Sequence, residues 1–358
     1  MKILVEKFRL IGDVLLTTPL LENLRHFYPD AEIHFALNRG CEEMIAQNPC
    51  VDKIHIYERD KIKNANIFKR IWCEFKFAMS LKKEKFDIII QTTEGDRGLI
   101  LAIICGAKEV IAYPTRHEYL NKFITKSLEN PYKKHIIEAS LDGLYALGLT
   151  PISKKVRLYF DDFSEKFSDL PQNFIHIHLI SSKFFKCISD ELSAKIIDFC
   201  EIDLGVKVVL TGYKNEDEMK KNEQILSLCK SNPIKFFGNL NLKEVAFLNS
   251  KARLFIGIDT SIMHIAAANN IPVIAFFGPS GAFEWGPWDN DLNKSAYASR
   301  NGVQGMGKHI VIQHNEACVP CGQKGCNNSG ISKCLTELSF EQICKIIKFR
   351  AQEINLID

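Results

Sequence analysis

Short runs of aliphatic and β-branched residues alternate along the chain with longer stretches whose apolar positions recur every three or four residues. The first pattern is that of buried strands and the second that of amphipathic helices. Their alternation predicts an α/β protein with mainly parallel sheets. In the first half, strands are predicted at 2–5, 32–37, 53–56, 86–91 and 109–112, with helices at 14–27, 42–47 and 67–83. Pro19 falls inside the first helix and should kink it or end its first turns, because its ring removes a hydrogen bond. From 161 to 172 the pattern breaks into an acidic, polar stretch ending near Pro171, which marks a domain boundary. A second series follows, with strands at 174–178, 207–211, 234–236, 254–258 and 273–277 and helices at 190–200 and 216–229. The expected organisation is a domain at 1–165, a second at 172–339, and an amphipathic helix within 340–358 that packs back on the first domain.

A chain of 358 residues suits two such domains better than one α/β core. With 46% hydrophobic and 25% charged residues it has the balance of a globular protein. A net charge of +3 gives no reason to expect nucleic acid as a partner. The start, Met1 to Lys7, carries too short an apolar run for a signal peptide, and the apolar run at 99–107 is about half of a bilayer span. The expected location is the cytoplasm. Most of the twelve cysteines stand singly in apolar segments, as Cys105, Cys200 and Cys344 do.

In α/β proteins ligands bind at the carboxyl ends of the strands, so chemistry is sought just after each apolar run. The clearest case is Leu254 to Ile258 followed by Asp259-Thr260-Ser261-Ile262-Met263-His264, a strand passing through small polar residues straight into a helix. The helix amino terminus favours an anion, and the hydroxyls of Thr260 and Ser261 add donors. The plainer alternative is that Asp259 or Thr260 merely caps the helix. Gly278-Pro279-Ser280-Gly281 forms a second turn after the next strand, followed by Trp285 and Trp288, either wall or packing. Near the start, Phe8 to Asp13 lacks the spacing of a dinucleotide-binding turn but puts a carboxylate beside Gly12 at a helix amino end. Such an aspartate can act as a general base or only as a cap.

With these residues in view, the chain resembles the lipopolysaccharide heptosyltransferases of glycosyltransferase family nine, which have the GT-B fold. The resemblance rests on Ile11-Gly12-Asp13-Val14-Leu15-Leu16-Thr17-Thr18-Pro19, Tyr28-Pro29-Asp30-Ala31, Asp259 to His264 with Ala266-Ala267-Ala268, and Phe277-Gly278-Pro279-Ser280. Thr93-Glu94-Gly95-Asp96-Arg97-Gly98, Phe185-Lys186-Cys187 and the segment 281–288 are most similar to the branch that adds a third, side-branch heptose. The resemblance implies two Rossmann-like parallel-sheet domains facing a central cleft, and an inverting transfer of heptose from ADP-heptose to a hydroxyl of the inner core. It implies Asp13 as base and Lys186 as the charge that steadies the departing diphosphate. Gly12, Ser181, Lys186, Glu216, Asp259, Thr260, Ser261 and His264 would hold the donor, and Arg97 the acceptor's phosphate. Asp217 and Glu218 rival Glu216. The chain departs from the family pattern at Ser261, where glycine is common, and at Leu179 and Ile180, where Ser181 and Ser182 take over the polar role. The implied acceptor is lipid-anchored, at the cytoplasmic face of the inner membrane.

Weaker patterns remain. Cys318, Cys321, Cys326 and Cys334 have the number and closeness of structural zinc ligands, set against reduced thiols. No cofactor is expected, and no catalytic metal. Asp289-Asn290-Asp291 reads as a solvated loop. Lysines and arginines between 61 and 85, mixed with Ile67, Phe68, Ile71, Trp72 and Phe75, suit peripheral contact with an anionic membrane or a solvated face over a core stripe.

Overall fold

The apolar runs assemble into two sheets, and the computed structural model, which describes residues 1–358, divides into two units, Met1–Tyr159 and Phe160–Asp358. The first unit holds β1 (Lys2–Lys7), β2 (Glu32–Asn38), β3 (Lys53–Tyr57), β4 (Ile88–Gln91), β5 (Glu109–Ala112) and β6 (Lys126–Ser127). They lie in the order β3-β2-β1-β4-β5-β6, all parallel, with Leu4 of β1 aligned to His34 on one side and to Ile89 on the other. Helices cover both faces, which is why β1, β2 and β4 are buried along nearly their whole length. Leu4, Ala36 and Ile89 pack against Leu99, Leu101 and Ala102 of the Asp96–Cys105 helix.

The second unit contains β7 (Phe174–His178), β8 (Lys207–Gly212), β9 (Ile234–Phe237), β10 (Leu254–Ile258), β11 (Val273–Phe277), β12 (Val303–Met306) and β13 (His309–Gln313). Their order is β12-β13-β11-β10-β7-β8-β9, parallel except for the β12–β13 hairpin at one edge. No helix in the chain is long and apolar enough to cross a membrane.

The structure alters several expectations. The first helix is two, Ile11–Leu15 and Thr18–Phe27, with Pro19 in the opening turn of the second, where a missing amide costs nothing. Asp13 thus lies within a helix and not ahead of one. The 42–47 helix shrinks to one turn, Glu42–Met44. Arg97, expected in a loop, is the second residue of the Asp96–Cys105 helix, whose uniform hydrophobicity hid its helical period. Strands β6, β12 and β13 are too short or too bounded by polar residues to stand out. The stretch at 160–172 is no free linker, because Phe160, Phe163, Phe167 and Leu170 pack with Phe174, Val209 and Phe247 in the second unit. The final helix, Phe340–Glu353, places Ile343 and Ile347 in the second unit's core, which corrects its expected return to the first domain.

Candidate functional site

Each sheet reverses its strand order once, at β1 and β4 in the first unit and at β7 and β10 in the second. The connections leave such a pair in opposite directions, opening a crevice at the strands' carboxyl ends. The residues picked from sequence fall on these ends. Gly12 and Asp13 follow β1, Arg97 follows β4, Ser181 and Lys186 follow β7, and Asp259 to His264 follow β10. Glu216 opens the Glu216–Leu228 helix after β8.

In the second unit, β10 is buried throughout and delivers Asp259 to the amino end of the Ser261–Ala268 helix. The Asp259 carboxylate does not cap that helix. Its Oδ2 accepts from Lys186 Nζ at 2.5 Å and from Ser280 Oγ at 2.5 Å. Burial alone would raise the pKa of Asp259, but the charge and hydrogen bond of Lys186, with Ser280 and His264, outweigh it and hold the group below its usual value. Thr260 occupies the cap position without making a side-chain cap bond, and its Oγ1 is buried with no hydrogen-bond partner. A buried hydroxyl costs free energy until something accepts or donates to it. A lysine, a free hydroxyl and unspent helix amides therefore share one turn, a donor set for a phosphate oxygen. His264 is buried one turn further in, and Ser261 is half-buried.

The loop after β7 is braced from below. Ser181 Oγ accepts the Lys183 amide at 3.2 Å, and the short turn Phe184–Lys186 then swings Lys186 toward Asp259. Of the three acids after β8, Glu218 is buried, raised by that burial against backbone hydrogen bonds from Tyr213 and Ser182. Glu216 and Asp217 are exposed in the helix's first turn. His176 and His178 both meet Thr211 Oγ1, at 2.8 and 3.0 Å, and burial keeps both imidazoles neutral, His178 at about 4. They form a structural network under the site. Trp288 is core packing at 1% exposure, while Trp285 is half-buried in the Ala282–Trp285 turn. The expected solvated loop at Asp289 is instead anchored, since its buried carboxylate accepts the amides of Asp291 and Lys308 at 2.9 Å each. The unit's open depression, about 870 Å³ with Lys183, Phe184, Lys220, Lys221 and Lys324 in its wall, includes neither Lys186 nor Asp259.

In the first unit Asp13 is half-buried, and its Oδ2 accepts the Leu10 amide at 3.3 Å, so it does brace its own turn. Directly beneath, Lys7 is buried and donates to the Thr92 carbonyl at 2.8 Å. Burial pulls Lys7 down to about 8, although the Asp13 charge opposes this. Glu6 is wholly buried on the other face, neither carboxylate oxygen has a partner, and desolvation pushes it well above the carboxylate range. It fits there because Gly98 has no side chain: a Cβ would lie 2.8 Å from Glu6 Oε2 and 2.6 Å from Gln91 Nε2. The Arg97 guanidinium stacks 4.7 Å over the Tyr57 ring and stands 3.9 Å from Glu74. Sequence reasoning missed Lys7, Glu6 and the Ser280–Asp259 bond. The signal for the first two was a charged pair closing an otherwise apolar strand.

The model of glycosyltransferase family 9 (heptosyltransferase) matches residues 74–306. Lipopolysaccharide heptosyltransferase 3 of Escherichia coli is 28% identical over 295 residues, covering 79% of this chain and 85% of that protein. Among solved structures, a family 9 glycosyltransferase from Veillonella parvula superposes with a TM-score of 0.80 at 22% identity, covering 98% of this chain and 97% of that one. The E. coli heptosyltransferase WaaC with ADP gives 0.74 at 15% identity, covering 98% and 100%. The two parallel-dominated sheets are thus those of the GT-B fold, and the family match takes in β4 and β7 to β12 but not β1 with Gly12 and Asp13. The chain belongs to glycosyltransferase family 9, the heptosyltransferases.

Proposed function

We propose that this glycosyltransferase moves heptose from ADP-heptose to a hydroxyl of the lipopolysaccharide inner core, with inversion at the anomeric carbon. The observation that carries this reading is the turn at Asp259-Thr260-Ser261, where Lys186, the buried Thr260 hydroxyl and a helix amino end form an anion site. The relatives' names supply the sugar and the acceptor class. In the reaction the acceptor oxygen bonds to the anomeric carbon as the carbon–oxygen bond to ADP breaks. Asp13 takes the hydroxyl proton, and the electron pair leaves on the diphosphate. Lys186 neutralises that charge, assisted by Thr260, Ser261 and the helix dipole. His264, Ser181, Gly12 and Glu216 complete the donor contacts, and Arg97 meets the acceptor. Because Lys186 supplies the positive charge, transfer needs no divalent ion, and the rate stays unchanged in chelator.

Calorimetry with ADP, UDP and GDP tests the donor, and preference for UDP would sink the heptose reading. Incubation with ADP-heptose and truncated core acceptors, followed by mass and linkage analysis, tests the acceptor.

A second observation supports work at a lipid surface. The Ile67–Lys82 helix turns Ile67, Phe68, Ile71, Trp72 and Phe75 outward on one face, each 55% or more exposed, and Lys69, Lys76 and Lys83 flank them. An apolar face edged by lysines fits the headgroup region of an anionic bilayer and supports work at the cytoplasmic face of the inner membrane. Co-sedimentation with phosphatidylglycerol vesicles that is unchanged in Phe68→Ser/Trp72→Ser removes this placement.

A further inference from the structure

Metal-ligating side chains gather in two places, and only one brings its ligand atoms together. The cysteines at 318, 321, 326 and 334 lie after β13, Cys326 in the short turn Cys326–Asn328 and Cys334 in the short helix Lys333–Thr336, and none forms a disulfide. The group whose three ligand atoms lie within 4.8 Å of one another is His34, His55 and Glu84. It sits toward the amino-terminal end of the first unit's sheet, away from the carboxyl end of β1 that carries Asp13.

The sheet builds this group. His34 on β2 aligns with Lys53 on β3, so His55, two residues further, projects from the same face as a diagonal neighbour. Glu84 comes from the turn between the Ile67–Lys82 helix and β4. Phe86 packs edge-on to both rings, with centroids 5.1 and 6.2 Å away, and walls the group off. His34 is fully buried and His55 nearly so.

The hydrogen bonds select the tautomer a metal needs at His34 but not at His55. Glu32 Oε1 lies 2.7 Å from His34 Nε2 and accepts its hydrogen, which leaves the His34 Nδ1 lone pair facing His55 Nε2 at 3.0 Å. His55 Nε2–H donates across that gap, so metal binding shifts the His55 proton to Nδ1. A carboxylate accepting from the far nitrogen of a ligating histidine is the usual outer support of such sites. For metal–nitrogen bonds of about 2.0–2.1 Å, a tetrahedral ion sets its two nitrogens roughly 3.3 Å apart, so the rings need separate by only a few tenths of an ångström. Glu84 now pairs with Lys53, half-exposed, and with Lys2. Lys53 can swing into solvent when a dication takes its place.

We propose that His34, His55 and Glu84 bind one divalent transition metal of the zinc class, with a fourth position left to water. Two imidazoles and a carboxylate suit this class of ion and not magnesium or calcium. The ion would clamp β2, β3 and the turn before β4 together, a structural role separate from sugar transfer.

The test is a cobalt(II) titration of the full-length, chelator-stripped protein, followed by absorption. The expected result is one equivalent giving visible d–d bands without near-ultraviolet thiolate charge transfer, and a rise in melting temperature. Affinity should fall at least tenfold in His55→Ala and in Glu84→Gln. The second variant alters a turn side chain and keeps the test valid if the first does not fold. Only thiolate charge transfer, persisting in both variants and lost in Cys321→Ser, would assign the metal to the cysteines and overturn the proposal. The absence of stoichiometric binding would overturn it equally.

Discussion

The two switch points of this protein solve one problem in opposite ways. At β7 and β10 the charges are spent on each other: Lys186, Asp259 and Ser280 lock together, and the unpaired element is the neutral Thr260 hydroxyl. At β1 and β4 the charges are held apart. Asp13 has a single hydrogen bond, Lys7 reaches a carbonyl, and Glu6 reaches nothing. The first arrangement suits a site that must hold a fixed anion without reorganising. The second suits a carboxylate whose proton affinity must respond to what arrives. In the proposed reaction, preorganisation belongs to the donor side and electrostatic tension to the base side.

The largest expected effect would break this contrast at its reactive end. Asp13→Asn should lower kcat by about 100- to 10,000-fold while leaving ADP affinity unchanged, read from ADP release and calorimetry. Retained turnover would leave Asp13 as a cap. Next, Lys186→Ala strands a buried carboxylate. It should cost about 2–3 kcal/mol in urea unfolding, less than a fully buried pair because Lys186 is 28% exposed, and should weaken ADP binding too. The sign with pH follows from the direction at Asp259. Its folded pKa is depressed, so its contribution is present above the unfolded value of about 3.9 and is lost as pH falls through the folded value. The gap between wild type and Lys186→Ala should therefore narrow only below about pH 4.

Gly98→Ala pushes a methyl group into Glu6 and Gln91 and should destabilise by about 1–3 kcal/mol; a neutral result would mean that Glu6 moves freely. Ser280→Ala should cost about 1 kcal/mol and leave Lys186 on Asp259, separating the hydroxyl's share from the lysine's. A pH profile sharpens the first unit's side of the comparison. Lys7 titrates at about 8 when folded, against 10.5 for an ordinary lysine, so the unfolded chain binds more protons between those values. Stability should rise with pH across that window in wild type, and the rise should flatten in Lys7→Met.

Much of this contrast was legible in the residues, though unevenly. The turn after β10 was readable because apolar strand, small polar residues and helix follow each other without a gap. What sequence could not decide was whether Asp259 caps or pairs, because its partners Lys186 and Ser280 lie 73 and 21 positions away. Asp13 illustrates the opposite limit. Its bond to the Leu10 amide is local but comes from inside the helix's first turn and not from the expected cap position, and the Lys7 charge beneath it depends on burial that no neighbouring residue announces. A whole helix went unrecognised where hydrophobicity was uniform, at Asp96–Cys105, since a helix apolar on most sides shows no period.

The sequence by itself determined that the chain folds as two α/β units and that polar chemistry follows particular strands, because strand periodicity and turn composition are local properties. Tertiary structure decided which charges neutralise each other, which stay buried and strained, and that His34, His55 and Glu84 meet at all. Those outcomes depend on sheet register and on the depth at which each group leaves water, and both are set only when distant segments pack.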